Sequence, residues 1–346
     1  MDKPHELIIN GIIVAPGKRT TIMLPMPKLY DWTPMNMPIH IIRGAVPGPV
    51  LCVTGAVHGD EINGVEIIRR LLKKRFPKKL AGTLITVPIV NIYGFLSQER
   101  YLMDRRDLNR SFPGSTKGSL AARLAFLVMN ELVAKATHFI DLHTGSLQRT
   151  NLPQIRTNLD VAHTERLAKA FNAPVILHSK ERDGSLRQAA NDKGIPSLLY
   201  EAGEALRFNE VAIRIGLKGI INVMQALNML PADNLPHPLP HPPVARYSLW
   251  VRAPHSGILR PFQSLGKKIK KGDVLGMIVN PIGEEEYEVN ARISGMIIGQ
   301  TNLPLVHEGA ALFNVASFKP FKVIGEPEHE EPPEEVPPWV DQPEPE

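Results

Sequence analysis

Hydrophobic residues in the first two thirds of the chain form short continuous runs that alternate with stretches of helical spacing. The run PVLCVTGAV at 49–57 is apolar enough for a strand buried on both faces, and GVEIIRRLLKKRF from Gly64 carries apolar residues at helical intervals. Further strands are predicted at 82–90, 138–143, 173–177 and 195–203, and helices at 62–75, 119–136, 161–171 and within 208–230. This alternation predicts an α/β fold with a mixed, largely parallel sheet flanked by helices.

The pattern changes towards both ends of the chain. Residues 1–45 carry short apolar runs broken by Pro and Gly, which predicts an N-terminal β segment at the edge of a catalytic domain spanning 1–234. Prolines crowd residues 235–247, which predicts a stiff linker. Glycine-punctuated short strands follow at 248–320 and predict a small all-β module. The last segment, 326–346, is rich in Pro and Glu and is predicted to be disordered.

Within the β module, the order SGILRP, LGKKIKKGDVLG, ARISGMI and VHEGAALFNV resembles a biotinyl/lipoyl-type barrel-sandwich module. The turn between its two halves reads NPIGEEEYEV and contains no lysine that could carry a swinging cofactor arm. We therefore expect no attached cofactor, and we expect the module to pack on the catalytic domain or to mediate oligomerisation.

Polar residues with metal-binding chemistry stand at the ends of three of the predicted strands. His58 and Glu61 follow the first strand in GAVHGDE, His143 ends FIDLHTG, and Glu201 ends LLYEAGE. Ligands bind at the carboxyl ends of strands in open α/β sheets, so these side chains are expected in one crevice. Two imidazoles and a carboxylate suit a catalytic zinc, which leaves Glu201 as a general base beside it. Asp141, two residues before His143 on the same strand face, is expected to orient that imidazole.

Composition and charge narrow the possible functions only in part. Nine of the 35 acidic residues lie at 326–346, which holds no Lys or Arg, so the rest of the chain has 26 acidic against 40 basic residues. That basic body fits steering of an anionic substrate or simply a solvated surface. No RNP-like or helix-turn-helix signature supports a nucleic-acid partner.

The single cysteine, Cys52, excludes a disulfide within the chain and a cysteine-based zinc cluster. With no signal peptide and no apolar run of about 18 residues, the sequence predicts a cytoplasmic protein without a membrane partner.

Four motifs occur in an order that resembles one enzyme family. HGDE, DLNRSFPG, DLHTG and YEAGE, spread over roughly 150 residues, are similar to motifs of the succinylglutamate desuccinylase/aspartoacylase family, a branch of the zinc carboxypeptidase-like fold. The resemblance covers most of residues 45–320. It implies one zinc ion per chain, held by His58, Glu61 and His143, with Glu201 as general base and proton shuttle.

The same resemblance implies roles for residues of the segment RYLMDRRDLNR. Asn109 and Arg110 match the pair that grips the carboxylate of the substrate, and Arg100 matches the arginine that polarises the scissile carbonyl. Two additional residues separate Arg100 from Asn109 compared with some members, so Arg105 or Arg106 could hold that role instead. On chemistry alone an Arg beside an Asn suits a carboxylate, but DLNRSFPG is also typical of an ordinary turn.

Taken together, these residues predict a zinc-dependent amidohydrolase that removes an acyl group from an N-acyl amino acid or a similar small carboxylate. A zinc carboxypeptidase acting on peptides is an alternative, because the same metal, base and carboxylate clamp serve both reactions. The β module and a predicted loop from Ser146 to Leu159 would decide between them by setting the depth of the pocket. A non-catalytic binding protein on the same fold is a third possibility, and a homo-oligomer is possible in each case.

Overall fold

The structure is a computed structural model that describes residues 6–76, 80–146, 148–161, 163–231 and 241–319. The predicted tail and residues 235–240 of the predicted linker lie outside these ranges. The helices are α1 (Asn63–Lys73), α2 (Ile92–Ser97), α3 (Leu120–Glu131), α4 (Thr164–Phe171), α5 (Leu186–Asn191) and α6 (Glu210–Ala226), with 3₁₀ turns at Leu108–Arg110 and Val133–Lys135. None of the helices in the described ranges combines the length and the apolar character needed to cross a membrane.

The strands fall into an N-terminal and a C-terminal group. The first group contains β1 (Leu7–Ile9), β2 (Ile12–Val14), β3 (Arg19–Met26), β4 (Met35–Arg43), β5 (Val46–Gly55), β6 (Ala81–Val87), β7 (His138–Gly145), β8 (Arg149–Thr157), β9 (Val175–His178) and β10 (Ser197–Glu204). The second contains β11 (Val244–Ala245), β12 (Tyr247–Arg252), β13 (Gly257–Pro261), β14 (Lys268–Ile269), β15 (Val274–Val279), β16 (Glu286–Asn290), β17 (Gly295–Thr301), β18 (Leu305–Val306) and β19 (Ala311–Ser317).

One large mixed sheet organises the molecule. Its strand order is β12-β19-β17-β8-β10-β7-β5-β6-β4-β3. The four central strands β6, β5, β7 and β10 are parallel, whereas β8 pairs antiparallel with β10 and β17, and the strands at both ends of this order also pair antiparallel. This confirms the predicted fold class, a mixed sheet flanked by helices with an additional antiparallel β region.

Apolar side chains fill both faces of the central strands, as the continuous hydrophobic runs predict. Along β5, Cys52 packs into the core under α2, α3 and α5, while its neighbours Leu51 and Val53 pack into the core under α1, α4 and α6. All three side chains are fully buried. Successive residues of β5 therefore fill the two cores on opposite faces of the sheet.

The segment predicted as a loop between Ser146 and Leu159 is instead strand β8, and that part of the prediction is wrong. Its sequence, RTNLPQIRT, has no continuous apolar run and contains Pro153, so hydrophobic patterning alone does not indicate a buried strand. In the structure β8 lies between β10 and β17 inside the large sheet. Three of its polar residues, Arg149, Asn151 and Arg156, line a polar pocket rather than an apolar core.

The C-terminal strands divide between two sheets. Strands β16, β15, β13 and β18 form a separate four-stranded antiparallel sheet. Strands β12, β19 and β17 extend the large sheet, where β17 pairs antiparallel with β8 through Gly299↔Asn151 and Gln300↔Thr150. The C-terminal β region therefore borders the strand that carries pocket residues.

Candidate metal centre and pocket

The candidate site lies at the carboxyl ends of β5, β7 and β10. His58 and Glu61 occupy the turn between β5 and α1, which the Glu61 amide closes by donating to the His58 carbonyl at 3.2 Å. Gly59 between them packs against α2 so closely that a β-carbon would lie 1.9 Å from the carbonyl carbon of Gly94. The turn therefore needs glycine at this position, and the close contact fixes the direction of the two flanking side chains.

His58, Glu61 and His143 come together as the sequence predicts. Their ligand atoms all lie within 4.8 Å of one another, and all three residues are buried. Nδ1 of His58 lies 2.8 Å from Oε1 of Glu61, and Nδ1 of His143 lies 2.8 Å from Oε2. The backbone amide of Thr144 also donates to Oε2 at 3.0 Å. Two Nδ1 atoms and one carboxylate thus converge on a single point.

The opposite nitrogens of both imidazoles contact carboxylates. Nε2 of His143 lies 2.7 Å from Oδ2 of Asp141, the predicted contact, and Nε2 of His58 lies 3.1 Å from Oδ1 of Asp107. A carboxylate holds the hydrogen on the nitrogen that faces it, which leaves the Nδ1 lone pair of a neutral imidazole for a metal. Asp107 was not predicted from the sequence, although it belongs to the DLNR motif.

The buried charges of this cluster shift one another's pKa values. Burial and the charge of Arg100 act to lower the pKa of His58, but the carboxylates of Glu61 and Asp107 outweigh them and raise it to about 9. Burial likewise opposes protonation of His143, yet Asp141 and Glu61 raise its pKa well above the ordinary value. The two imidazoles lower the pKa of Glu61 in spite of its burial. Protons and a metal ion would therefore compete for the same imidazole nitrogens.

Glu201 lies beside the cluster. It is the direct neighbour of His143 in the parallel pairing of β10 with β7, so both side chains point to the same face of the sheet. Both residues line the same pocket. One oxygen of the Glu201 carboxylate, Oε2, accepts a hydrogen bond from Nδ2 of Asn151 at 2.8 Å.

The three candidate arginines differ in their surroundings. Arg100 is buried, lines the pocket, and donates to Oε1 of Glu61 at 3.2 Å and to Oδ2 of Asp107 at 3.0 Å. Arg105 and Arg106 are exposed. The geometry therefore favours Arg100 as the arginine close to the reacting groups.

Asn109 and Arg110 also line the pocket. They form a 3₁₀ turn capped by Asp107, whose side chain accepts from the Asn109 amide at 2.7 Å. Oδ1 of Asn109 accepts from the Leu186 amide at 2.9 Å, so the amide group offers Nδ2 as a donor for a ligand. The motif is thus both a turn and a part of the pocket wall, and the two interpretations of DLNRSFPG are compatible.

Four further arginines line the pocket that sequence reasoning did not identify: Arg149 and Arg156 from β8, Arg182 from the segment before α5, and Arg187 from α5. With Arg100 and Arg110 they give six arginines against three lining carboxylates, Glu61, Asp141 and Glu201. The excess of positive charge indicates a pocket for an anionic ligand.

Arg187 is one of the buried arginines of this pocket. Its Nη2 donates to the carbonyl of Lys180 at 2.9 Å, whereas Nη1 has no hydrogen-bond partner among the described residues. Burial lowers the pKa of its guanidinium to about 10 although Glu181 opposes that effect. A buried guanidinium with an unused donor favours binding an anion.

The β region supplies one wall of the same pocket. Trp250 on β12 lines it, and the guanidinium carbon of Arg149 lies 5.5 Å from the centroid of the indole ring. That distance is within the range of a cation–π contact. The strands that follow the predicted linker therefore contribute to the site itself.

An α/β sheet with a His, Glu and His group at its strand ends is the arrangement of metal-dependent hydrolases. The sequence model of the succinylglutamate desuccinylase/aspartoacylase catalytic domain matches residues 47–227, just over half of the 346 residues, and the chain belongs to that family. Members of the family are hydrolases that remove acyl groups from amides.

Individual relatives agree with this assignment. The N-alpha-acetyl-L-2,4-diaminobutyric acid deacetylase of Halomonas elongata is 26% identical over 297 residues, which cover 82% of this chain and 86% of the relative. A succinylglutamate desuccinylase/aspartoacylase structure from Rhodobacter sphaeroides is similar with a TM-score of 0.78 and 25% identity, covering 86% of this chain and 95% of that one. The product-bound ectoine utilization protein EutE (DoeB) of Ruegeria pomeroyi has a TM-score of 0.77 and 26% identity, covering 86% and 94%.

Proposed function

We propose that this protein is a zinc-dependent deacylase that hydrolyses the amide bond of an N-acyl amino acid or a similar small carboxylate. The observation that carries the proposal is the convergence of His58, Glu61 and His143 within 4.8 Å, with Glu201 on the adjacent strand facing the same pocket. The proposal thus joins a metal-binding group and a carboxylate base in one cleft.

The donor set fits zinc. Two imidazole nitrogens and one carboxylate are the ligands of several catalytic zinc sites, and the contacts of Asp107 and Asp141 keep both Nδ1 atoms suited to a metal. A bound zinc ion would supply Lewis-acid polarisation of the scissile carbonyl and would acidify water. His58, Glu61 and His143 would hold that ion, one per chain.

The chain's own residues supply the proton transfers and the charge stabilisation. Glu201 accepts a proton from the attacking water and delivers it to the departing nitrogen, so that an acid and an amine are released. The Arg100 guanidinium stabilises the negative charge that develops on the carbonyl oxygen. Its contacts with Glu61 and Asp107 hold the side chain beside the metal-binding group before the substrate arrives.

Substrate binding is assigned to the pocket arginines. Asn109 and Arg110 bind a carboxylate of the substrate and orient its amide towards Glu201. Arg187, with its unused Nη1 donor, suits a second anionic group. The excess of arginines favours an N-acyl amino acid with an acidic side chain or an acidic acyl group over one with a cationic side chain, such as an acyl diaminobutyrate.

A small substrate is favoured over a peptide because the C-terminal β region borders one side of the cleft. Trp250 forms part of the wall, and β17 pairs directly with β8. The Halomonas relative is named as a deacetylase of an acetylated amino acid, which also favours a small substrate over a peptide. A zinc carboxypeptidase would need an open path for the remainder of a peptide chain.

Metal content and hydrolysis should be measured together on wild type and on Glu201→Gln. Both proteins are expected to hold about one zinc ion, and only wild type is expected to release amine from a panel of N-acyl amino acids. The panel should pair N-acetylaspartate and N-succinylglutamate with N-acetyl-2,4-diaminobutyrate and with short peptides. Cleavage confined to peptides would replace the proposal with a carboxypeptidase. Absence of zinc after purification without chelators would refute it.

A further inference from the structure

Asn151 touches the carboxylate that the proposed reaction uses as its base. Its Nδ2 donates to Oε2 of Glu201 at 2.8 Å, and its own side chain is buried, with only 7% of the residue exposed. A hydrogen bond on one carboxylate oxygen restricts rotation of the group and leaves Oε1 for proton transfer. Asn151 therefore does more than fill space in the wall of the pocket.

A β-bulge brings Asn151 to the face of the sheet on which Glu201 lies. In the pairing of β10 with β8, Glu201 is opposite Gln154 and Gly203 is opposite Asn151. Two steps along β10 thus correspond to three along β8. A one-residue shift moves a side chain to the other face of a strand, so in a regular ladder Asn151 would point away from Glu201. Pro153, which has no N–H for a ladder bond, lies inside this bulge.

Strand β17 closes the other side of Asn151. Gly299 is its direct partner in the pairing of β17 with β8. A β-carbon added to Gly299 would lie 3.1 Å from Oδ1 of Asn151 and 3.4 Å from Cη2 of Trp250. The side chain of Asn151 therefore lies close to the backbone of Gly299, where a larger residue would press on it.

We propose that Asn151 is a positioning residue that fixes the carboxylate of Glu201, and that Gly299 of the β region provides the close packing that keeps Asn151 in place. This inference rests on the proposed function, because it takes Glu201 as the base. It gives the C-terminal strands a part in catalysis that does not depend on any cofactor attachment.

Three variants test it, measured with the amide substrate that wild type hydrolyses best. Asn151→Ala removes the donor and is expected to lower kcat by about 10- to 100-fold with KM nearly unchanged, because misplacement of a catalytic group by about 1 Å has effects of this size. Asn151→Asp keeps the shape but places a second carboxylate beside Glu201, so it is expected to be slower than Asn151→Ala. Gly299→Ala is expected to lower kcat by a smaller factor.

The matched control is Asn290→Ala, which removes a hydrogen bond from an asparagine to Glu288, 3.2 Å long, on β16 of the separate four-stranded sheet and outside the pocket. It is expected to leave kcat unchanged. Zinc content and the thermal unfolding midpoint should be measured for all four variants. A crystal structure of Asn151→Ala is expected to show a rotated Glu201 carboxylate.

The outcomes separate the inference from the function on which it rests. If wild type and Glu201→Gln are equally inactive on every amide, the proposed function fails and the inference with it. If wild type is active, Glu201→Gln is inactive and Asn151→Ala keeps full kcat, the inference alone is overturned.

Discussion

Replacing Asp141 by Asn tests whether the carboxylates behind the imidazoles set the metal affinity of the site. Asp141 is buried, and its two oxygens have different partners: Oδ2 contacts Nε2 of His143 at 2.7 Å, and Oδ1 accepts from the Thr54 hydroxyl at 2.6 Å. Asparagine has the same shape and can still accept from Nε2–H. The substitution therefore removes a negative charge while it preserves the local packing.

The expected loss follows from the position of this charge. Substitution of a carboxylate that holds a metal-ligating histidine typically weakens metal binding by about 10- to 100-fold, or about 1.4–2.7 kcal/mol. An opposing effect reduces the loss at low pH. Asp141 raises the pKa of His143, so its removal also weakens the competition of protons for Nδ1. The difference between wild type and Asp141→Asn should consequently grow as the pH rises.

The affinity for zinc is measured by competition with a chromophoric chelator at several pH values between about 6.5 and 9. Thr54→Val is the matched control, because it removes the other hydrogen bond of Asp141 and leaves both the charge and the contact with His143. A loss in Thr54→Val as large as that in Asp141→Asn would assign the effect to packing. Equal affinity of wild type and Asp141→Asn at pH 9 would refute the reasoning.

Three other predictions concern protons and packing. The zinc affinity of wild type is expected to rise as the pH approaches 9, the raised pKa of His58. The rise should be up to about tenfold per pH unit for each proton that zinc displaces from an imidazole, and calorimetry should detect the released protons. Glu66→Gln should lower the urea midpoint at pH 7 but not near pH 2. Hydrogen bonds from Arg69 and Arg70 lower the pKa of Glu66 from 4.5 to about 2. The stability that the Glu66 carboxylate contributes is therefore fully present above pH 4.5 and is lost as the pH falls through 2. Gly219→Ala should destabilise by about 1–3 kcal/mol in urea unfolding, because a β-carbon there would lie 2.2 Å from Cε1 of Phe171, and an unchanged midpoint would contradict this.

The metal-binding group could be predicted from the sequence because its residues interrupt strong hydrophobic patterns. His58, His143 and Glu201 each stand where a continuous apolar run ends, and the carboxyl ends of neighbouring parallel strands meet at one edge of a sheet. The central parallel strands and the long helices were predictable for the same reason. Only burial distinguishes Arg100 from Arg105 and Arg106 as the arginine of the site. The sequence does not reveal the burial of residues in an irregular segment.

Strand β8 shows what the hydrophobic pattern cannot convey. Five of its nine residues are buried, but several of the nine face a polar pocket, so the alternation that normally marks a half-buried strand is absent. The bulge at Pro153 then shifts the faces of the strand between Gln154 and Asn151. A reader of the sequence would need the pairing with β10 to know that Asn151 faces Glu201. Departures from local strand rules are expected where function requires them, and here the departure delivers a donor to the proposed base.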